Sequence, residues 1–206
     1  MTRLGQTHSM LKQLLQADVY RYLGKVDRRA MLTAYLQHPG FRFTYHLRKV
    51  AALGPRKRSL SIVPYIYHRL LLHRYRFRFG FEMSPQTVIG PGLYIGHFGG
   101  IVISPHATLG ANVNIAQGVT IGSTSTGPRL GAPTIQDRVW IGANAVIVGN
   151  ITIGSDALIG PGAYVYFDVP PKGVVLGNPG ILVANTGSVG YINRTLQFAG
   201  NESVQH

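Results

Sequence analysis

From residue 85 to residue 170 the aliphatic positions recur every six residues. Ile135, Ile141, Ile147, Ile153, Ile159 and Val165 hold that spacing without a miss. Four residues after each stand Val139, Ala145, Ile151, Ala157, Ala163 and Val169, and Gly follows the aliphatic at Gly142, Gly154 and Gly160. Upstream, Leu109, Ile115 and Ile121 keep the spacing with Val113 and Val119 as companions, and the companion series runs back through Ala107, Ile101, Ile95 and Ile89. A period of six is neither the 3.6 of a helix nor the 2 of an ordinary strand. It fits short strands joined by sharp corners, with the aliphatic and its small companion pointing inward and Gly or Asn at the strained corner positions. Three such sides make a turn of about 18 residues, so roughly twelve hexads predict about four turns of a parallel β-helix. One interval is longer. Ile121 and Ile135 are fourteen apart, so residues 123–134 leave the stack as a loop, and loops on a rigid scaffold commonly carry binding groups.

The pattern before the repeat is different. Leu11, Leu14, Leu15 and Val19 share one helical face, and Met31, Ala34 and Tyr35, then Phe41, Tyr45, Leu47, Val50 and Leu53, predict further short helices. Pro39-Gly40 and Gly54-Pro55 read as breaks, and Ile66 to Leu72 as another helix. Arg74 to Phe81 alternates basic and aromatic residues, which predicts an extended strand with Tyr75, Phe77 and Phe79 on one face and Arg74, Arg76 and Arg78 on the other. Its expected role is to cap the open end of the apolar core rather than to bind nucleic acid. The organisation expected is thus a helical region at 1–80, a β-helix at 81–183 and a tail at 184–206.

Composition adds two constraints. The 206 residues contain no cysteine, which removes disulfides, thiolate metal sites and cysteine nucleophiles. The net charge of +13 is concentrated: residues 1–80 hold sixteen Lys/Arg against Asp18 and Asp27, whereas residues 81–206 hold four against five acids. Such a field favours an anionic partner, whether nucleic acid, acidic polysaccharide, a phosphorylated ligand or anionic lipid at the inner face of the membrane; the alternative is a set of solvated basic helix faces. Met1 to Tyr20 lacks the apolar core of a signal peptide, and Ser61 to Leu72 is too short to span a bilayer, so a cytoplasmic protein is expected.

In the series 97, 103, 109, 115, 121 every position but the first is aliphatic; the first is His97, set among Gly96, Gly99 and Gly100. An imidazole placed inward costs desolvation unless paired, and the glycines leave room for a ligand near the backbone. These segments resemble those of the hexapeptide-repeat acyltransferases, in the branch that contains serine O-acetyltransferase. The likeness rests on SP-x-x-x-IG at Ser84–Gly90, the His97 segment, NIAQGVTIG at Asn114–Gly122, IGANAVIVGNITIG at Ile141–Gly154 and DVPP…GNPG at Asp168–Gly180. It covers about half the chain. It implies a left-handed β-helix, a homotrimer and acetyl-CoA bound between neighbouring subunits; no metal is expected, because the repeat region offers only His97 and His106 where a metal hydratase on this scaffold needs three His ligands. It further implies His97 as general base, Glu82 (usually Asp in the family) as the acid that orients it, and CoA contacts from Ser123, Thr124, Ala143, Pro161 and Lys172.

Departures from the family pattern narrow the acceptor. Serine acetyltransferases carry an acid just before the catalytic His, where this chain has Gly96, and an Arg-His pair before the loop Pro, where it has Gly131 and Ala132. Without that pair a serine carboxylate loses a charge-assisted fork, for which Arg129 is the nearest substitute. The chain ends Gln205-His206 rather than in the Ile with which those enzymes dock. GH-x-GGIVI and RLGAPTI instead resemble acetyltransferases of exopolysaccharide or capsule synthesis, so a sugar or glycan hydroxyl is the expected acceptor. Serine O-acetyltransferase is the alternative within the class. A non-catalytic β-helix scaffold or anionic-polymer binder is the alternative outside it.

Overall fold

The computed structural model describes residues 3–54 and 62–196. Four helices come first: α1 (Arg3–Leu23), α2 (Arg28–Gln37), α3 (Pro39–Leu53) and α4 (Ile62–Phe79). The Asp27 carboxylate caps α2 by accepting from the Ala30 N–H at 2.8 Å. The break expected at Pro39-Gly40 falls one residue earlier, at His38. Pro39 opens α3, where its missing N–H costs nothing. Gly40 lies inside the helix, where any Cβ would stand 2.2 Å from the Ile95 carbonyl oxygen and only glycine fits. Gly54, at φ 58°, ends α3; Pro55 and the terminal Gln205-His206 lie outside the described residues.

The extended strand expected at 74–81 is a correction. Residues 74–79 belong to α4, which Gly80 ends at φ 67°. Local alternation over so few residues does not fix the period when a packing partner rewards the helical one. As a helix, α4 stacks Tyr75 on Phe79 with ring centroids 5.2 Å apart and turns Leu72 and Phe79 into the core, while Phe77 points to solvent. Capping of the core is as expected: Phe43, Leu72, Phe79 and Phe81 close the start of the stack.

The β-helix runs in five turns, not four. The first holds β1 (Phe81–Glu82), β2 (Val88–Ile89) and β3 (Tyr94–Ile95); the second β4 (Ile101–Ile103), β5 (Thr108–Leu109) and β6 (Asn114–Ile115). The third holds β7 (Thr120–Gly122), β8 (Thr134–Ile135) and β9 (Trp140–Ile141); the fourth β10 (Val146–Val148), β11 (Thr152–Ile153) and β12 (Leu158–Ile159). The fifth has β13 (Tyr164–Val165), a bridge from Val169 to Ile153, and β14 (Val174–Leu176), against which β15 (Ile181–Ala184) folds back antiparallel. Faces one, two and three stack β1-β4-β7-β10-β13, β2-β5-β8-β11 and β3-β6-β9-β12-β14 in parallel register. The end turns escape a count at six-residue spacing because they are irregular: Tyr94 pairs with Asn114, twenty residues on, and Leu158 with Val174, sixteen on.

Inward side chains such as Ile95, Ile115, Ile141 and Ile159 are all buried, each worth about 1.5–3 kcal/mol. Corners are tight. A Cβ at Gly142 would stand 2.6 Å from the Pro161 nitrogen and 2.9 Å from the Gly160 carbonyl carbon of the next turn. Gly142→Ala is therefore expected to cost about 1–3 kcal/mol, read as a lower urea midpoint at unchanged slope.

The helices dock on the corner between faces two and three. Asp18 is fully buried, receives Arg48 Nε and Nη2 at 3.1 Å, and accepts from the backbone N–H groups of Gly92 and Leu93 at 2.9 and 3.0 Å. Arg21 donates to the Asn112 carbonyl and the Asn114 side chain, and burial lowers its guanidinium to about 10. The Tyr22 hydroxyl exchanges hydrogen bonds with the Ile95 backbone.

A second polar cluster joins α2, α3 and α4. His46 Nδ1 meets His68 Nδ1 at 2.9 Å, and its Nε2 meets the Tyr35 hydroxyl at 3.0 Å, within a surround of Tyr45, Tyr67, Tyr75, Arg42 and Lys49. Burial, then His68, Arg42 and Lys49, push His46 down from 6.5 to about 4, and burial lowers His68 as well. Between those pH values the unfolded chain binds more protons, so stability rises with pH. The contribution is complete above about 6.5 and is lost as pH falls toward 4. A loss on the order of 2 kcal/mol over that window is expected, and His46→Phe should flatten the pH dependence of urea unfolding.

Candidate active site

His97 is not inward. Between Tyr94 and Val102 lie two more residues than between their partners Asn114 and Thr120, so 96–100 bulge out of the corner between faces three and one. Gly99 and Gly100 make this bulge possible with φ of 115° and 65°. The Gly99 N–H donates to the Phe79 carbonyl at 2.9 Å and the Ile101 N–H to Gly80 at 3.0 Å, so the bulge rests on the α4–β1 joint. The imidazole is exposed, and the expectation of a core position is corrected: the extra residues, invisible in the six-residue spacing, turn it outward.

Glu82 leaves β1 close to that joint, exposed, and is ion-paired with Arg76 rather than hydrogen-bonded to His97. It lines a cavity of about 300 Å³ with Arg69, His73, Arg76, Ser84 and Gln86. This basic wall comes from α4, and the spacing of 69, 73 and 76 on one helical face is the signal that could have revealed it.

The corner that carries His97 continues upward through Gln117, Ala143 and Pro161, linked turn to turn: the Gly118 N–H donates to Gly99, Asn144 to Gln117 and Gly162 to Ala143, at 2.8–2.9 Å. Ala143 and Pro161 thus stand on the His97 edge. Ser123, Thr124 and Arg129 stand on the opposite edge of face one, at the loop. Lys172 belongs to a third corner, in the column Gly92, Asn112, Arg138, Asp156 and Lys172, so the chain does not bring it to the others.

The loop is a closed element. Thr124 and Gly131 exchange backbone hydrogen bonds at 2.9 and 3.1 Å, and the Thr124 hydroxyl donates to the Arg129 carbonyl. Arg129 Nη1 bonds Asp168 at 2.9 Å, and the Thr152 N–H, then this guanidinium, hold the Asp168 carboxyl below its ordinary value. Beneath the loop an open groove of about 430 Å³ runs over face one, lined by Thr124, Thr126, Pro128, Arg129, Val148, Tyr164 and Tyr166. Arg129 is committed to Asp168, and Gly131 and Ala132 offer no side-chain donor.

Such a β-helix, with a histidine at its lowest corner and one extruded loop, has the architecture of a hexapeptide-repeat transferase. Residues 132–166 match the family model described as bacterial transferase hexapeptide (six repeats). The chain is 35% identical over 159 residues to the serine acetyltransferase of Bacillus licheniformis, covering 77% of this chain and 71% of that protein. The serine acetyltransferase of Neisseria gonorrhoeae, solved in complex with serine, superposes with a TM-score of 0.65 at 33% identity, over 86% of this chain and 69% of that one. A serine acetyltransferase solved in complex with CoA gives 0.68 at 26% identity, over 86% of this chain and 71% of that one. The chain belongs to the serine acetyltransferase family. It spans only about half (47%) of the length of the Mycobacterium tuberculosis relative. These relatives are serine enzymes by name, and the expected likeness to exopolysaccharide or capsule acetyltransferases finds no support among them.

Proposed function

We propose that this protein transfers an acetyl group from acetyl-CoA to a hydroxyl, with His97 as general base. The observation that carries this reading is a single imidazole held out by a two-residue bulge, at the foot of a corner that a long thioester could follow past Ala143 and Pro161. A neutral His97 takes the acceptor proton as the hydroxyl oxygen attacks the thioester carbonyl. The tetrahedral adduct then expels the CoA sulfur, and the imidazolium returns the proton to it. Glu82, once released from Arg76, would orient the ring. Ser123 and Thr124 would contact the donor from the loop.

In one subunit the His97 corner and the loop occupy opposite edges of face one, so in this reading the loop comes to the site from a neighbouring copy. This favours a homotrimer with sites between subunits. The compartment proposed is the cytoplasm, where acetyl-CoA is made; among the described residues no helix is long and apolar enough to cross a membrane.

Serine is the acceptor that the relatives favour. A second reading, a sugar or glycan hydroxyl, is favoured by Gly96, Gly131 and Ala132 and by the engagement of Arg129 with Asp168. Thiol release from acetyl-CoA across a panel of amino acids and glycans separates them. Release with serine alone supports the first, release with sugars alone the second. Absence of any transfer would leave a scaffold or anionic-polymer binder as the better description.

A further inference from the structure

Helix α4 is apolar on two sides. Tyr65, Leu72, Tyr75 and Phe79 face the core, whereas Val63, Ile66, Leu70 and Phe77 are 67%, 48%, 65% and 72% exposed. The exposed four fall at i, i+3, i+7 and i+14, a single stripe on the side of the helix opposite the core. No described residue covers it. Scattered apolar residues on a surface need no explanation, but Val63, Ile66 and Leu70 in one run, with Phe77 in line beyond His73 and Arg74, mark a contact surface.

Its borders identify the occupant. Arg69, His73 and Arg76 flank the stripe on one side; Arg74, Arg78 and the exposed Tyr67 flank it on the other. The helix contains no acid, and of its arginines Arg76 is the one with an ion-pair partner among the described residues, Glu82. Immediately before it the sequence carries Arg56, Lys57 and Arg58. A second copy presenting the same face would set arginine against arginine. An apolar stripe between cationic rows fits a surface that offers hydrocarbon below a layer of negative charge, and this is the form of an interfacial helix.

We propose that α4 lies flat in the headgroup boundary of an anionic bilayer, with Val63, Ile66, Leu70 and Phe77 among the acyl chains and Arg69, Arg74 and Arg78 on lipid phosphates. Its eighteen residues extend about 27 Å, and its core-facing side remains packed on α3 and β1, so it binds the surface without crossing it. The inference stands apart from acetyl transfer, since it invokes neither donor nor acceptor.

The test is co-sedimentation of the full chain with vesicles of phosphatidylcholine alone and of phosphatidylcholine with an equal part of phosphatidylglycerol. Partitioning should be about tenfold or more stronger on the anionic vesicles and should weaken at about 0.5 M salt. Leu70→Glu combined with Phe77→Glu should lower it at least about tenfold at unchanged melting temperature, because both side chains are exposed. Val88→Glu, an exposed apolar site on face two, should leave it unchanged. No binding to the anionic vesicles, or binding indifferent to the double substitution, overturns the proposal. So does a lipid-free oligomer that the double substitution dissociates, since the face would then be an interface between copies.

Discussion

Replacing His97 with alanine is expected to lower turnover by about 10²–10⁴ while leaving the protein folded and able to hold acetyl-CoA. The size follows from the chemistry. A hydroxyl is barely ionised near neutrality, so its attack on a thioester depends on a base that removes the proton as the bond forms. The sparing of stability follows from geometry. The ring is exposed on a bulge whose backbone is fixed by Gly99 and Ile101, so truncation opens no cavity and strands no buried donor. Stability should stay within about 0.5 kcal/mol of the parent. Steady-state rates with acetyl-CoA and the best acceptor, beside a urea melt, provide the check. Undiminished turnover would remove His97 from the reaction. Glu82→Gln should cost less than His97→Ala, because in the proposed mechanism Glu82 only orients the ring and in the structure it is paired with Arg76.

The repeat was legible because a corner every six residues is a steric requirement, and each inward position must be filled by something aliphatic. The same regularity hid the bulge. Ile95, Ile101 and Ala107 keep the spacing of six on either side of it, so His97 looked like an inward residue although the strand register carries two extra residues there. The sequence thus marks His97 by its exception to the series, whereas its environment, exposed on a bulge rather than inward, is visible only in the structure. In α4, a run of alternating Arg and aromatic residues suggested a strand. The longer pattern, with Tyr65, Leu72, Tyr75 and Phe79 against the core, settles it as a helix, and only tertiary packing makes that pattern count. What no local pattern could supply is pairing at a distance. Glu82 and Arg76 are close in sequence, yet nothing in the sequence says that this pair forms in place of Glu82 with His97. Arg129 and Asp168 meet across thirty-nine residues, and that contact bears directly on whether the loop can grip a carboxylate.

Asp18→Ala is the substitution expected to damage the fold most. Of the two acids in the first eighty residues, Asp18 is the buried one, and sequence alone gives no sign of the difference. It sits in α1 and serves two elements at once: it neutralises Arg48 of α3, and it accepts from Gly92 and Leu93 at the first corner of the β-helix. Arg48 in turn donates to the carbonyls of Ile89 and Gly90, so both ends of the corner depend on one ion pair. Removal of the carboxylate leaves a buried guanidinium without its counter-charge and two buried amides without acceptors. Breaking a buried pair from one side typically costs about 3–5 kcal/mol. For a chain of this size that lowers the melting temperature by about 10 °C. The contrast is Arg138→Ala. Arg138 also makes a two-pronged pair, with Asp156 at 2.7 and 2.9 Å, but near the surface, where about 1 kcal/mol or less is expected. Equal melting temperatures for the two variants would show that the Asp18 clamp does not hold the helices to the β-helix. A large difference would locate the anchorage of the helical region, and of the His97 bulge that rests on its last helix, at one carboxylate.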